Sequence, residues 1–188
     1  LTGGNFRLGV GLGWNRVEYA ALVEDFTNRG VRSEEQVELM RALWTQQSVT
    51  FDGKWHHIDA AGINPMPVQR PIPVWFGGAS DAVLKRTARM GDGWITSPQV
   101  QTYEANKAML GRLHGFAEEV DRDPASIGIE GRIELVDHPT DDDVLSAFRE
   151  WREMGVEIVT LSTRSVGLDT PQKQMDALKH YRNLADSL

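Results

Sequence analysis

The chain alternates short β-prone runs with amphipathic helical stretches along its length, and few folds tolerate that order. The β-prone runs are Phe6 to Leu12, Val74 to Phe76, Trp94 to Thr96, Ile127 to Leu135 and Glu157 to Leu161. All but the first are followed promptly by a helix. Those helices are read from Ser80 to about Met90, Val100 to Val120, Asp141 to Met154 behind a Thr140 cap, and from Pro171 onward. Such an order predicts a parallel sheet with right-handed crossovers. Five units suit either an open doubly wound sheet or part of a (β/α)8 barrel. A whole barrel needs about 250 residues, and this chain has 188.

The rhythm is interrupted between the first two strands. A loop runs to Arg32 with a short amphipathic piece from Glu18 to Phe26. Ser33 then reads as a helix N-cap, with Gln36 completing a capping box. Val37, Met40, Leu43 and Trp44 recur at helical spacing and carry that helix to about Gln46. Val49 to Phe51 and Trp55 to Ile58 flank Asp52-Gly53, a strong hairpin signal. Pro65, Pro67, Pro71 and Pro73 keep the next segment extended, so residues 47–73 form an excursion on the rim. No internal repeat or low-complexity linker divides the chain, and residues 1–188 read as a single domain.

Composition narrows the function classes. The net charge of −7 argues against a nucleic-acid footprint and against an anionic membrane surface. The absence of cysteine excludes disulfides, thiolate metal sites and thiol nucleophiles. No apolar run approaches the roughly 20 residues that span a bilayer, and no signal peptide is visible. A cytoplasmic protein acting on a small molecule is expected.

Two glycine-rich strand ends carry the chemistry. In Arg7-Leu-Gly-Val-Gly-Leu-Gly-Trp-Asn15 the glycines Gly9, Gly11 and Gly13 leave one strand face without side chains. Glycine weakens a strand, so such a run marks either a ligand or another backbone approaching closely. Trp14 suits the wall of a flat ring or core packing. Asn15 suits pairing with a ring edge or a turn. Gly77-Gly78-Ala79-Ser80 opens a helix at the next strand end, where free N–H groups and the helix dipole favour a phosphate. The alternative there is a tight turn with Ser80 as an ordinary cap. No Gly-Lys-Ser/Thr follows, and the third glycine of a dinucleotide fingerprint is absent.

The remaining polar residues point to less. Thr96 and Ser97, and Ser162 and Thr163, end strands on the same expected face. His56 and His57 point to opposite sides of the hairpin, and His114, His138 and His180 lack ligand spacing, so no metal site is expected. Asp141-Asp142-Asp143 opens a helix, where acids favour the dipole. Arg164 suits an anionic substrate or a plain surface position.

With these residues in place, the chain resembles the luciferase-like monooxygenase superfamily, and most the branch that uses the deazaflavin coenzyme F-420. The matching pieces are Arg7 to Asn15 with Glu18, Arg41-Ala-Leu-Trp44, Val49 to Gly53, Asn64 to Val68, Pro73 to Ser80 and Gly91-Asp-Gly-Trp94. The match is dense from about Phe6 to Pro98 and thin afterwards. The resemblance implies a (β/α)8 barrel of which this chain carries about strands 4 to 8, with Phe6 to Leu12 as the fourth. Strands one to three, roughly 100 residues on barrel proportions, are then expected upstream, so the chain reads as a C-terminal fragment or a truncated relative.

The resemblance also implies a site. The phosphate grip maps onto Gly77, Gly78, Ala79 and Ser80, and the turn beside the cofactor ring onto Gly13, Trp14 and Asn15, with Gly11 and Thr96 as further expected cofactor-binding positions. The proton-handling histidine of related enzymes belongs to the missing strands, so no catalytic acid or base is assigned. The function implied is hydride transfer between coenzyme F-420 and a small organic substrate. FMN-dependent monooxygenation is the alternative on the same fold, followed by a non-catalytic flavin-binding or assembly protein, and an unrelated phosphate-binding domain. Two exposed sheet edges invite pairing, so a homodimer or association with the missing N-terminal part is expected.

Overall fold

The β-prone runs lie side by side in the computed structural model, which describes residues 2–100, 102–156 and 158–188. In chain order the strands are β1 (Leu8–Val10), β2 (Val49–Asp52), β3 (His57–Ala61), β4 (Val74–Gly77), β5 (Gly93–Ile95), β6 (Gly128–Glu134) and β7 (Ile158–Ser162). The main sheet runs β1-β4-β5-β6-β7, every pair parallel, while β2 and β3 form a separate antiparallel hairpin. The helices are α1 (Arg16–Ala21), α2 (Arg29–Thr45), α3 (Asp81–Met90), α4 (Tyr103–Glu118), α5 (Asp141–Glu153) and α6 (Pro171–Ala185). None is long and apolar enough to cross a membrane among the described residues. Glu157, the expected start of the last strand, lies outside the described residues, as does Leu1.

Strand alternation divides the sheet into two unlike faces. Toward the helices, Val74 and Phe76 of β4 pack with Val37 of α2, Trp94 of β5 packs with Leu84, Met109 and Leu113, and Ile133 of β6 packs with Ala147 and Trp151. The other face is built around one indole. Register aligns Gly9, Trp75, Gly93 and Gly128 in a row across four strands. A Cβ at Gly93 would stand 2.3 Å from the Trp75 ring, and one at Gly128 2.6 Å from it. The Arg7 guanidinium lies 4.4 Å from the same ring's centroid and ion-pairs with Glu130, which also accepts from Thr160 Oγ1 at 2.5 Å.

Local chemistry moves several expected boundaries. Ser33 is not a cap: its hydroxyl donates to Gly30 O at 2.6 Å inside α2, which begins a turn earlier at Arg29. Arg29 secures that start by lying 3.6 Å from the Phe26 ring centroid and donating to Phe26 O at 2.8 Å. The hairpin turn spans Gly53 to His56, closed by Gly53 N donating to His56 O at 2.9 Å, and is wider than the expected Asp52-Gly53 pair. Glu35 of α2 explains this. Its carboxylate accepts from Lys54 N, Trp55 N and His56 N at 2.7 to 2.9 Å and sits 2.7 Å from His56 Nδ1. Thr140 does cap α5, with Asp143 completing a reciprocal capping box.

Candidate functional site

The C-terminal ends of β1 and β4 and the first turns of α2 and α3 frame a cleft of about 570 Å³. Gly11, Gly13, Trp14, Gly77, Gly78, Ala79 and Ser80 all line it. Residues read from the sequence as two separate glycine-rich ends thus share one cavity. The strand glycines divide by role. A Cβ at Gly9 would touch Ile95 at 3.4 Å, whereas one at Gly11 would meet nothing within 4 Å. Gly9 is therefore a packing glycine, and Gly11 opens onto free space.

Backbone conformation requires glycine at two further points. Gly13 turns the chain with φ +72°, and Gly78 has φ +134° with Val83 only 3.2 Å from where its Cβ would be. Ser80 holds the N-cap of α3 in extended conformation, yet its side chain makes no capping hydrogen bond. The N–H groups at this end of α3 are therefore not capped by that hydroxyl, and a helix start of this kind favours anions. Tyr19 braces the loop after β1, donating to Leu12 O and meeting Phe26 edge-on at 5.2 Å.

Not every expected residue sits within the cleft. Trp14 is 86% exposed, so it stands at the cleft rim and is not part of the core. Asn15 is outside the cleft lining. It caps α1, its Oδ1 accepting from Val17 N at 3.1 Å and its Nδ2 donating to Glu18 at 2.9 Å. Thr96 is also outside, buried beyond β5, with its Oγ1 lacking a hydrogen-bond partner among the described residues. Ser162, Thr163 and Arg164 line a second cleft of about 680 Å³ with Arg132, at the ends of β6 and β7. Glu134, outside that lining, ion-pairs with Arg132. Burial pushes its carboxyl up, but hydrogen bonds from Ser162 and Arg132 and the nearby charges of Arg132 and Arg164 bring it below the ordinary range. Among the described residues no three acidic or histidine side chains gather as a metal site.

Arg29, Gly30 and Arg86 are among the lining residues that had no local signal in the sequence. Arg86 is the most unusual, at 5% exposure. Its Nε donates to Glu34 Oε1 at 3.1 Å, across 52 positions of chain.

The chain belongs to the luciferase-like monooxygenase family, whose pattern it matches over residues 1–186. It is 31% identical over 157 residues to a coenzyme F-420-dependent glucose-6-phosphate dehydrogenase of Gordonia bronchialis, covering 81% of this chain and 46% of that enzyme. Its fold matches the crystal structure of a monooxygenase from Streptomyces bottropensis with a TM-score of 0.73 at 19% identity, covering 100% of this chain and 69% of that one. It also matches the coenzyme F-420-dependent tetrahydromethanopterin reductase of Methanopyrus kandleri, with a TM-score of 0.60 at 14% identity over 83% of this chain and 52% of the reductase. The five parallel strands are thus part of a luciferase-like barrel. The chain spans about half the length of the curated relatives it matches.

Proposed function

We propose that the cleft between β1 and β4 binds a phosphate-bearing deazaflavin, coenzyme F-420, within an oxidoreductase that exchanges a hydride with a small organic substrate. One observation carries this reading. A floor without side chains, at Gly11 and Gly77, adjoins the start of α3, where the Ser80 hydroxyl makes no capping bond. A flat ring suits the first feature and a phosphate the second. The 31% identity to a coenzyme F-420-dependent dehydrogenase supports the choice of cofactor.

Each residue then has a task. Gly77 and Gly78 let the backbone approach the phosphate, and Ser80 donates to it along with the first N–H groups of α3. Trp14 shields the ring from water at the rim. The cofactor supplies the hydride chemistry, and the chain supplies orientation and exclusion of solvent. Arg132 and Arg164 mark the second cleft as the side for an anionic or hydroxylated substrate. No group here is assigned as catalytic acid or base. The open edges at β1 and β7 suit a second copy of the chain or the N-terminal strands of a barrel.

Titration of the wild-type chain and Gly78→Asp with coenzyme F-420 and FMN tests the reading. Saturable binding by the wild type and its loss in the variant are expected, because the new carboxylate would face the phosphate at a strained φ. Intact binding by Gly78→Asp would overturn the phosphate assignment. Tighter binding of FMN, with oxygen consumed on reduction, would move the reading to flavin monooxygenation.

A further inference from the structure

We infer that Arg86 is a second anion-binding group of the cleft, a buried guanidinium that holds the ligand's phosphate opposite the Gly77–Ser80 cradle. The inference rests on the phosphate reading proposed for that cradle and adds to it a charged contact from inside α3.

An arginine that is 5% exposed has left most of its hydration and needs partners for its donors. A guanidinium has five N–H donors. The Arg86 Nε donates to Glu34 at 3.1 Å, and among the described residues neither Nη donates a hydrogen bond, nor is either sealed from solvent. An arginine serving only to pin α2 against α3 would use that fork on protein acceptors. Here the fork sits in the wall of the cleft.

The charge around it is also unbalanced. Glu34 accepts from Arg86 and from Arg89 Nη2 at 2.7 Å, so one carboxylate serves two guanidiniums. Among the described residues the cleft lining includes Arg29 and Arg86 and no acidic side chain, in a chain with 27 acidic and 20 basic residues. The N-caps of both α2 and α3 lack side-chain capping bonds, which adds the positive ends of two helices to the same space. Gly30 completes the arrangement. A Cβ there would stand 2.6 Å from Arg86 Nη2, so glycine in the first turn of α2 is what lets the guanidinium reach this position. A planar fork of free N–H donors in a cationic pocket matches a phosphate ester.

The test compares ligands that differ at the phosphate. FMN and riboflavin, and coenzyme F-420 and its phosphate-free deazariboflavin core, are titrated by fluorescence. The proteins are the wild-type chain, Arg86→Met, Arg89→Met and Gly30→Ala, and the pair that the wild type binds is the one read. The wild type is expected to prefer the phosphorylated member. Arg86→Met should reduce that preference by at least about tenfold, the size of a hydrogen bond to a charged group, with binding of the phosphate-free member unchanged. Arg89→Met should leave the preference intact. If Arg86→Met fails to fold, Gly30→Ala gives the same reading, because its methyl displaces the guanidinium in a helix that favours alanine.

A preference unchanged in Arg86→Met and Gly30→Ala, or equal loss of both ligands, overturns the inference and leaves the cradle standing. A wild type with no preference for the phosphorylated ligand overturns the cradle and the inference together.

Discussion

Trp75 lies so close over Gly93 that a Cβ on the glycine would stand 2.3 Å from the indole. The ring is 7% exposed, roofed by the Arg7 guanidinium at 4.4 Å from its centroid, and cannot swing aside. Gly93→Ala should therefore destabilise the chain by about 1–3 kcal/mol, the usual range for overpacking a filled core. The midpoint of denaturant unfolding checks this. A midpoint equal to that of the wild type would mean that the row Gly9, Trp75, Gly93 and Gly128 is not packed as described.

Gly11 provides the opposite case on the same side of the sheet. A Cβ there meets nothing within 4 Å, so Gly11→Val should change stability by no more than about 0.5 kcal/mol, as surface substitutions do. The added side chain instead fills the floor of the cleft. Weaker binding of coenzyme F-420 or FMN at unchanged unfolding midpoint is the expected pair of results. Unaltered binding would place the ring elsewhere.

Glu35 ties the hairpin to α2 and makes that tie dependent on pH. Burial raises its carboxyl, but hydrogen bonds from the His56 ring and from Trp55, Lys54 and His56 N–H groups together hold it at about 2, against an ordinary 4.5. A folded-state pKa below the unfolded one contributes stability that is complete above the unfolded value and lost as pH falls through the folded one. Hydrogen exchange at Lys54, Trp55 and His56 should stay slow at pH 5 and accelerate, relative to its intrinsic rate, as pH falls from about 4.5 toward 2. Glu35→Gln should already show fast exchange at pH 5. Protection in the variant equal to that of the wild type would show that the carboxylate does not hold the turn.

The order of elements was legible because periodicity is local. Val83, Leu84 and Ala88 mark the inner side of α3 within a few positions, and Pro171 marks the start of α6. What depends on register was not legible. Gly93 reads as part of a helix stop in Gly91-Asp92-Gly93, yet it is a strand residue whose missing side chain accommodates Trp75 of the neighbouring strand. Ser33 and Gln36 imitate a capping box, but the helix had already begun, fixed by Arg29 on Phe26.

The cleft divides in the same way. Gly11, Gly13 and Gly77 to Ser80 were visible because glycines clustered at strand ends form a local pattern, and the sheet brings them together. Asn15 with Glu18 carries a local capping pattern, and the structure places both side chains in that cap and not in the cleft. Arg86 was hidden because its partner Glu34 and the glycine that makes room for it, Gly30, belong to another helix. Contacts across 52 positions leave no mark on the spacing of a single segment.

The proposed site for a phosphate-bearing deazaflavin or flavin is the cleft between β1 and β4. Amide chemical-shift mapping of the uniformly labelled chain during titration with coenzyme F-420, and then FMN, tests it without any substitution. Saturable shifts concentrated at Gly11, Gly13, Gly77, Gly78 and Ser80 are predicted. Shifts confined to Ser162, Thr163 and Arg164 at the second cleft, or none at saturating ligand, would contradict it.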